Sequence, residues 1–119
     1  MTAPGRLSLN QATVQHLGLA EAAELCVRHD IPAIGLWRHR VAELGLARSV
    51  AAIRAAGLHV SSLCRGGFFT HADRAARKAA LADNRAAITE AAELGADALI
   101  LVSGWASRRC TQCYARTDA

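Results

Sequence analysis

The amino-acid sequence predicts an α/β fold in which parallel strands alternate with helices. Short apolar segments begin near residues 6, 31, 58 and 97, and alanine-rich segments with helical periodicity separate them. The connections from helix to strand are only a few residues long, whereas those from strand to helix are longer and polar. This is the pattern of consecutive βαβ units with right-handed crossovers, so a ligand is expected at the carboxyl ends of the strands.

Composition sets limits on the class of protein. With 119 residues, 52% of them hydrophobic and 20% charged, the chain is expected to form one globular core. Half of the net charge of +4 lies in the last 15 residues, the basic side chains are scattered and form no stripe, and aromatic residues are only 4%, which argues against nucleic-acid binding. No apolar run approaches the roughly 18 residues of a membrane span, and we expect a cytoplasmic protein without membrane association.

The first half of the sequence predicts two strands and two helices. RLSLN predicts a strand that ends at Asn10, and a periodic segment from Leu19 predicts a helix that ends near Asp30. Residues 31–37 are almost wholly apolar and predict a buried strand. The charged residues 38–40 were expected to form a turn before a second helix, for which Gly57 is a left-handed stop.

The second half predicts a strand at residues 58–63, a glycine-broken loop and the longest helix, residues 74–94. Asp73 is its expected N-cap and Gly95 its end. Residues 97–102 predict a fourth strand as continuously apolar as the second. The buried stripe of the long helix is expected to contain a hydrogen-bonded amide among apolar side chains: Ala80, Leu81, Asn84, Ala87, Ile88 and Ala91.

Periodicity stops after Gly104. The sequence therefore predicts a folded part at residues 1–104 and an irregular, poorly ordered tail at residues 105–119. Within the tail, Cys110 and Cys113 have a C-x-x-C spacing that can hold zinc or act as a dithiol. Without a second pair this signal is weak, and a small zinc or thiol protein is the least favoured hypothesis.

The strings RLSLNQATV, IPAIGLWRHRVAELGL, AAGLHVSSLCRGGFFT and DNRAAITEAAELGADALILVSG resemble the N-terminal half of the sugar phosphate isomerase/epimerase family, whose members are xylose isomerase-like TIM barrels. The resemblance covers roughly residues 6–104. Such barrels need eight βα units, so it implies about half of a TIM barrel, with four strands and three helices. The abrupt loss of pattern after Gly104 is interpreted as a truncation by a shift or early end of the reading frame.

By resemblance, the full-length enzyme of carbohydrate metabolism would move a proton or hydride between adjacent sugar carbons with a divalent metal. The family's metal ligands lie on later strands and match no position here. The resemblance therefore implies no metal, no catalytic residue and no activity for this chain alone. The alternative is a non-catalytic half-barrel that acts only by associating with another chain, because two open sheet edges favour self-association.

Four residues near the ends of the first three strands are the candidate substrate-binding residues for a small carbohydrate or sugar phosphate. Asn10 offers an amide for hydroxyl groups and Trp37 an aromatic face for a sugar ring, although Trp37 could equally belong to the core. Arg65 could meet a phosphate, and Cys64 beside it is expected to favour a thiolate, although a cysteine here is more often a small hydrophobe. His71 is the one histidine considered as a proton carrier.

Overall fold

A computed structural model describes residues 6–104 of the protein. Its strands form one sheet in which neighbours are parallel and follow the order of the sequence, as predicted. The strands are β1 (Ser8–Asn10), β2 (Ala33–Trp37), β3 (His59–Gly67) and β4 (Leu99–Val102). Together with the helices that connect them, they have the architecture of a partial TIM barrel with an open sheet.

The described residues contain four α-helices instead of the three predicted. They are α1 (Leu19–Arg28), α2 (Arg38–Leu44), α3 (Leu46–Ala56) and α4 (Arg74–Leu94), and a 3-10 helix (Gln11–Val14) follows β1. The predicted turn at residues 38–40 was wrong, because these residues form the first turn of α2. Gly45 separates α2 from α3 with a φ of 93°, a conformation that favours glycine.

The core lies between the helices and one face of the sheet. On the sheet side it contains the side chains Ile34, Leu36, Val60 and Leu63, each at most 2% exposed. The facing side of α1 contains the four buried residues Leu19, Ala22, Ala23 and Cys26. Because this helical spacing is visible in the sequence, the buried face of α1 was predictable from periodicity alone.

Strand β3 is longer than predicted. It continues past Leu63 through the two glycines, which pair with β4 as Gly66 opposite Leu101 and Gly67 opposite Val102. A Cβ atom on Gly66 would lie 2.7 Å from the Asn84 side-chain oxygen, and Gly67 has a φ of 107°. The expected glycine-broken loop is therefore a strand end whose backbone packs closely against α4 and β4.

The long helix α4 begins and ends as predicted. The Asp73 carboxylate accepts a hydrogen bond from the Ala76 amide at 2.8 Å, and Gly95 closes the helix with a φ of 66°. Its predicted buried stripe was partly wrong. Leu81 and Ile88 are 52% and 61% exposed, because no described element covers that side of α4.

Strand β4 is more exposed than β2, although both sequences are continuously apolar. Ile100 is 44% exposed and Leu101 is 54% exposed, whereas Ile34 and Leu36 in β2 are fully buried. The reason is position, since β4 lies at an edge of the described sheet and β2 lies inside it. Apolar sequence therefore indicated a strand but not its exposure.

An ion-pair cluster joins α2 to α4. The Arg38 guanidinium donates to Glu90 at 2.7 Å and to Asp83 at 2.9 Å. Hydrogen bonds first to Glu90 and then to Asp83 raise the pKa of Arg38, and the bond from Arg38 lowers the pKa of Asp83. Since Arg38 is only partly exposed, this cluster fixes the start of α2 against the middle of α4.

The tail with Cys110 and Cys113 lies outside the described residues, so its disorder and any zinc or thiol role stay predictions. None of the helices in the described part is both long and apolar enough to cross a membrane.

Candidate functional site

Three of the four predicted site residues share one face of the sheet. Ile34 and Leu36 pack into the core, and successive side chains of a strand point to opposite faces, so Trp37 lies on the face away from the core. Cys64 is the direct neighbour of Trp37 across the β2–β3 pair, and Asn10 ends the adjoining strand β1. The face away from the helices, at the carboxyl ends of β1 to β3, therefore contains Asn10, Trp37 and Cys64 together.

Asn10 positions the Trp37 ring. The indole Nε1 donates a hydrogen bond to Asn10 Oδ1 at 3.0 Å, and the same oxygen accepts from the Ala12 amide at 3.0 Å. The second bond makes Asn10 the N-cap of the 3-10 helix. The carboxamide oxygen of Asn10 is thus occupied within the protein, and its main effect on the site is to orient the aromatic ring.

Gln11 is a site residue that the sequence did not single out. It is 1% exposed, and its Oε1 accepts a hydrogen bond from the Trp37 backbone amide at 3.1 Å. Its Nε2 has no hydrogen-bond partner among the described residues. Gln11 also lines a cavity of about 210 Å³ beside the Trp37 ring, together with Ala12, Gln15, Trp37, His39 and Arg40. Asn10 and Gln11 thus accept hydrogen bonds from the indole nitrogen and from the backbone amide of Trp37, respectively.

Arg65 lies over two aromatic rings. Its guanidinium carbon is 5.9 Å from the centroid of the Trp37 ring and 5.0 Å from that of Phe68. Both distances are in the range of cation–π contacts. In the described part of the chain, Arg65 has no carboxylate partner, in contrast to Arg38 and Arg40. Its hydrogen-bond donors are therefore not committed to an ion pair within residues 6–104.

The expectation that Cys64 favours a thiolate was wrong. Burial raises the pKa of the Cys64 thiol by more than the neighbouring charge of Arg65 lowers it. Burial likewise raises the pKa of Cys26, which lies in the core. Cys64 on this face is thus a neutral, half-buried thiol at neutral pH, closer to a small apolar side chain than to a nucleophile.

Of two nearby histidines, His71 lies in the predicted loop and His39 lies in a helix instead of the predicted turn. His71 lies in the exposed loop between β3 and α4, where its carbonyl accepts a hydrogen bond from Arg77. Its role as a proton carrier stays a prediction. His39 lies edge-on to Trp37, with ring centroids 5.9 Å apart, although residues 38–40 had been interpreted only as a turn. The feature of the sequence that could have identified His39 is its place two residues after the end of a strand.

The described residues do not fit the divalent metal that the resemblance implies for the full-length enzyme. No group of three or more His, Cys, Asp or Glu side chains within residues 6–104 could hold a metal ion. Among the four candidate residues, Asn10 offers an amide, Trp37 an indole, Cys64 a neutral thiol and Arg65 a guanidinium. A cation would be repelled by Arg65 and would find no carboxylate among these residues.

Comparisons with known proteins agree with the architecture. A family model described as a xylose isomerase-like TIM barrel matches residues 12–117. The crystal structure of protein SMc04130 from Sinorhizobium meliloti 1021 is similar over 94% of this chain, with 43% sequence identity and a TM-score of 0.83. A xylose isomerase domain containing protein from Salmonella typhimurium LT2 is similar over 85%, with 16% identity and a TM-score of 0.69, which is a likeness of fold alone. No curated protein matches the chain.

The matches differ in how much of each protein they cover. The chain spans 42% of the first of these structures and 38% of the second, so it corresponds to less than half of either protein. The family match also continues to residue 117, beyond Gly104 where periodicity stops. Because that match covers most of the sequence and the described strands and helices agree with it, the chain belongs to the xylose isomerase-like TIM barrel family.

Proposed function

We propose that this chain is the N-terminal half of a sugar phosphate isomerase or epimerase and forms one wall of its substrate pocket. The observation that supports this most is the Arg65 guanidinium, which lies over the Trp37 and Phe68 rings without a carboxylate partner among the described residues. An aromatic face beside an uncommitted guanidinium matches a ligand that has both an apolar ring face and an anionic group. A sugar phosphate combines the two.

The contacts around Trp37 favour binding by preorganisation. Its indole nitrogen is held by Asn10 and its backbone amide by Gln11, so the ring loses little freedom when a ligand stacks on it. Arg65 is held by the rings beneath it, while its donors stay open to phosphate oxygens. Cys64, which lies opposite Trp37 in the neighbouring strand, contributes a neutral, partly buried thiol.

The proposal includes no catalytic step for this chain. The four candidate residues on this face include no carboxylate, and no group of three or more His, Cys, Asp or Glu side chains within residues 6–104 could hold a metal ion. We therefore propose that the chain binds without turnover and that the reaction needs the rest of a full-length barrel. Measurable isomerisation of fructose 6-phosphate by the purified chain with Mg²⁺ or Mn²⁺ would contradict this.

The binding proposal is tested with the 119-residue chain and fructose 6-phosphate, followed by chemical shifts of the Trp37 indole N–H. Arg65→Ala should weaken binding at least about tenfold, which corresponds to roughly 1.4 kcal/mol. The matched control is Arg48→Ala, which removes an exposed arginine from α3 and should leave affinity unchanged. Equal affinity of the Arg65→Ala variant, or equal affinity for unphosphorylated fructose, would contradict an anion contact at Arg65.

A second candidate is a non-catalytic half-barrel that acts by association. The observation that favours it is the exposure of three consecutive apolar residues on the edge strand, Ile100, Leu101 and Val102. It is compatible with the first proposal, since a pocket wall can also need a partner to complete the barrel.

A further inference from the structure

We infer that two copies of this chain close an eight-stranded parallel barrel, in which β4 of each copy pairs with β1 of the other around a twofold axis. The inference does not depend on the pocket wall, but it rests on the second candidate function above and names its partner as a second copy of this chain. It rests on the polarity of the two open edges, on the exposed apolar residues of β4 and on opposite charges at the amino ends of the two edge strands.

Both edges have backbone groups without a partner strand in the described part. The Ala98 carbonyl accepts a hydrogen bond from the Leu63 amide of β3 at 2.9 Å, and the Val102 carbonyl accepts one from the amide of Phe68, directly after β3, at 2.6 Å. In a parallel pair, alternate residues direct their backbone groups to opposite sides, so the groups of Leu99 and Leu101 face away from β3. Such an edge is a template for another strand.

The direction of the strands selects the kind of partner. All four strands are parallel, and β1 and β4 are the opposite edges of the same sheet. A second copy can therefore add its β1 to β4 in the same parallel sense that joins β3 to β4. A twofold axis forms both junctions at once and leaves no free edge, whereas a different rotation would give an open chain of sheets. The four described strands of each copy together make the eight that close a barrel of this family.

Three consecutive exposed apolar residues lie where this closure would bury them. Ile100 pairs with Cys64 and so lies on the same face as the candidate site, which becomes the interior of a closed barrel. It is 44% exposed, and its neighbours Leu101 and Val102 are 54% and 37% exposed. Three adjacent apolar residues on an unpaired edge are a recognition surface or an aggregation hazard.

Charge also favours a β1 edge as the occupant. Asp97 lies two residues before β4, with a side chain that is 63% exposed and bonded to His59 at 2.6 Å. The exposed Arg6 lies two residues before β1. Parallel pairing brings the amino ends of the two strands together, so Arg6 of one copy would lie near Asp97 of the other. The same closure would place Trp37 and Arg65 of both copies around one barrel mouth.

Sedimentation equilibrium of the full 119-residue chain, from about 1 to 100 µM, tests the association. We expect a reversible species of twice the 12.6 kDa chain mass. Ile100→Arg should weaken association at least about 100-fold, because it places a charge in the closed interior. The matched control is Val27→Arg on α1, where an apolar side chain of similar exposure, 52%, lies next to α3 and outside the junctions.

A charge exchange tests the register independently of the interior. Arg6→Glu should weaken association several-fold, and adding Asp97→Arg should restore it. Because Asp97→Arg also removes the bond to His59, Asp97→Arg alone and His59→Ala are measured as controls, and all variants should keep the circular dichroism of the original chain. Three outcomes would overturn the inference: a monomer at every concentration, as expected if residues beyond 104 cover β4 in the same chain; assemblies larger than a dimer; or no rescue by the double exchange.

Discussion

At the scale of single residues, Asn84 shows how one side chain can determine the shape of a strand. Its Oδ1 accepts a hydrogen bond from the Gly67 amide at 2.6 Å, and its Nδ2 donates to the Gly67 carbonyl at 2.8 Å and to the Ala80 carbonyl at 2.7 Å. The Asn84 amide thus satisfies both backbone groups of Gly67 at the irregular end of β3, beside its pairing with Val102. The sequence correctly predicted a satisfied buried amide, but it gave no indication of which backbone the amide would bind.

Asn84→Asp should destabilise the folded chain by about 2 to 3 kcal/mol. The substitution keeps the acceptor for the Gly67 amide but replaces the donor with an oxygen, which would face two carbonyl groups in a site only 7% exposed. The measurement is urea unfolding followed by circular dichroism. Thr89→Ala, an exposed change on the same helix, is the control and should stay within about 0.5 kcal/mol. Equal stability of the two variants would mean that the amide donor contributes little.

At the scale of elements, local signals were enough wherever the cause is local. The Asp73 cap, the left-handed Gly57 and Gly95, and the buried face of α1 all follow from neighbouring residues and were predicted correctly. The start of α2 was missed because the main partner of Arg38 is Glu90, on a helix 52 residues away. Among the site residues, proximity at strand ends was predictable from topology, whereas the contacts of Gln11 with Trp37 and of Arg65 with Phe68 depend on side-chain packing.

The end of β3 should be far less tolerant of a side chain than a helix end with the same backbone sign. Gly67 has a φ of 107°, and a Cβ atom there would collide with the Val102 carbonyl, so Gly67→Ala should cost at least about 3 kcal/mol. Gly57 has a φ of 64° with nothing within 4 Å of such an atom, and Gly57→Ala should cost only about 1 to 2 kcal/mol. Denaturant midpoints of the two variants make the comparison. Similar losses of stability would show that the backbone of β4 at Val102 can move to accommodate the added methyl group at little cost.

The contact between α2 and α4 should depend on pH through Asp83. The hydrogen bond from Arg38 lowers the pKa of Asp83 in the folded chain below its ordinary value of 3.8. The ionised carboxylate therefore stabilises the folded state above that pH, and this contribution is lost as the pH falls through the lower, folded-state pKa. The difference in urea midpoint between the original chain and Asp83→Asn should be present at neutral pH and shrink below about pH 3.8.

The control for that experiment removes the cause of the pKa shift. In an Arg38→Ala background, Asp83→Asn should produce no such loss of midpoint difference at low pH, because the donor that lowers the pKa is gone. A pH-dependent difference of the same size in both backgrounds would assign the effect to other groups.

At the scale of the whole molecule, stability is distributed unevenly across the sheet. Strands β2 and β3 have a partner on each side, and their core side chains Ile34, Leu36 and Leu63 are fully buried. Strand β4 has one partner among the described residues, and most of its side chains are exposed. The membership of a barrel family explains this asymmetry, because an edge in four described strands is an interior position in a closed ring of eight.

Hydrogen exchange should reveal this gradient and its dependence on a second copy. Amides of β2 should be the slowest to exchange at every protein concentration, because only global unfolding exposes them. Amides of β4 should exchange rapidly at about 1 µM and slow markedly at about 100 µM, since added β1 edges would bond the outward-facing groups of Leu99 and Leu101. Peptides from α3, which is remote from both edges, are the internal control and should not change with concentration. If β4 were as protected as β2 at the lowest concentration, its edge would already be covered within a single chain, and the barrel would need no second copy to close.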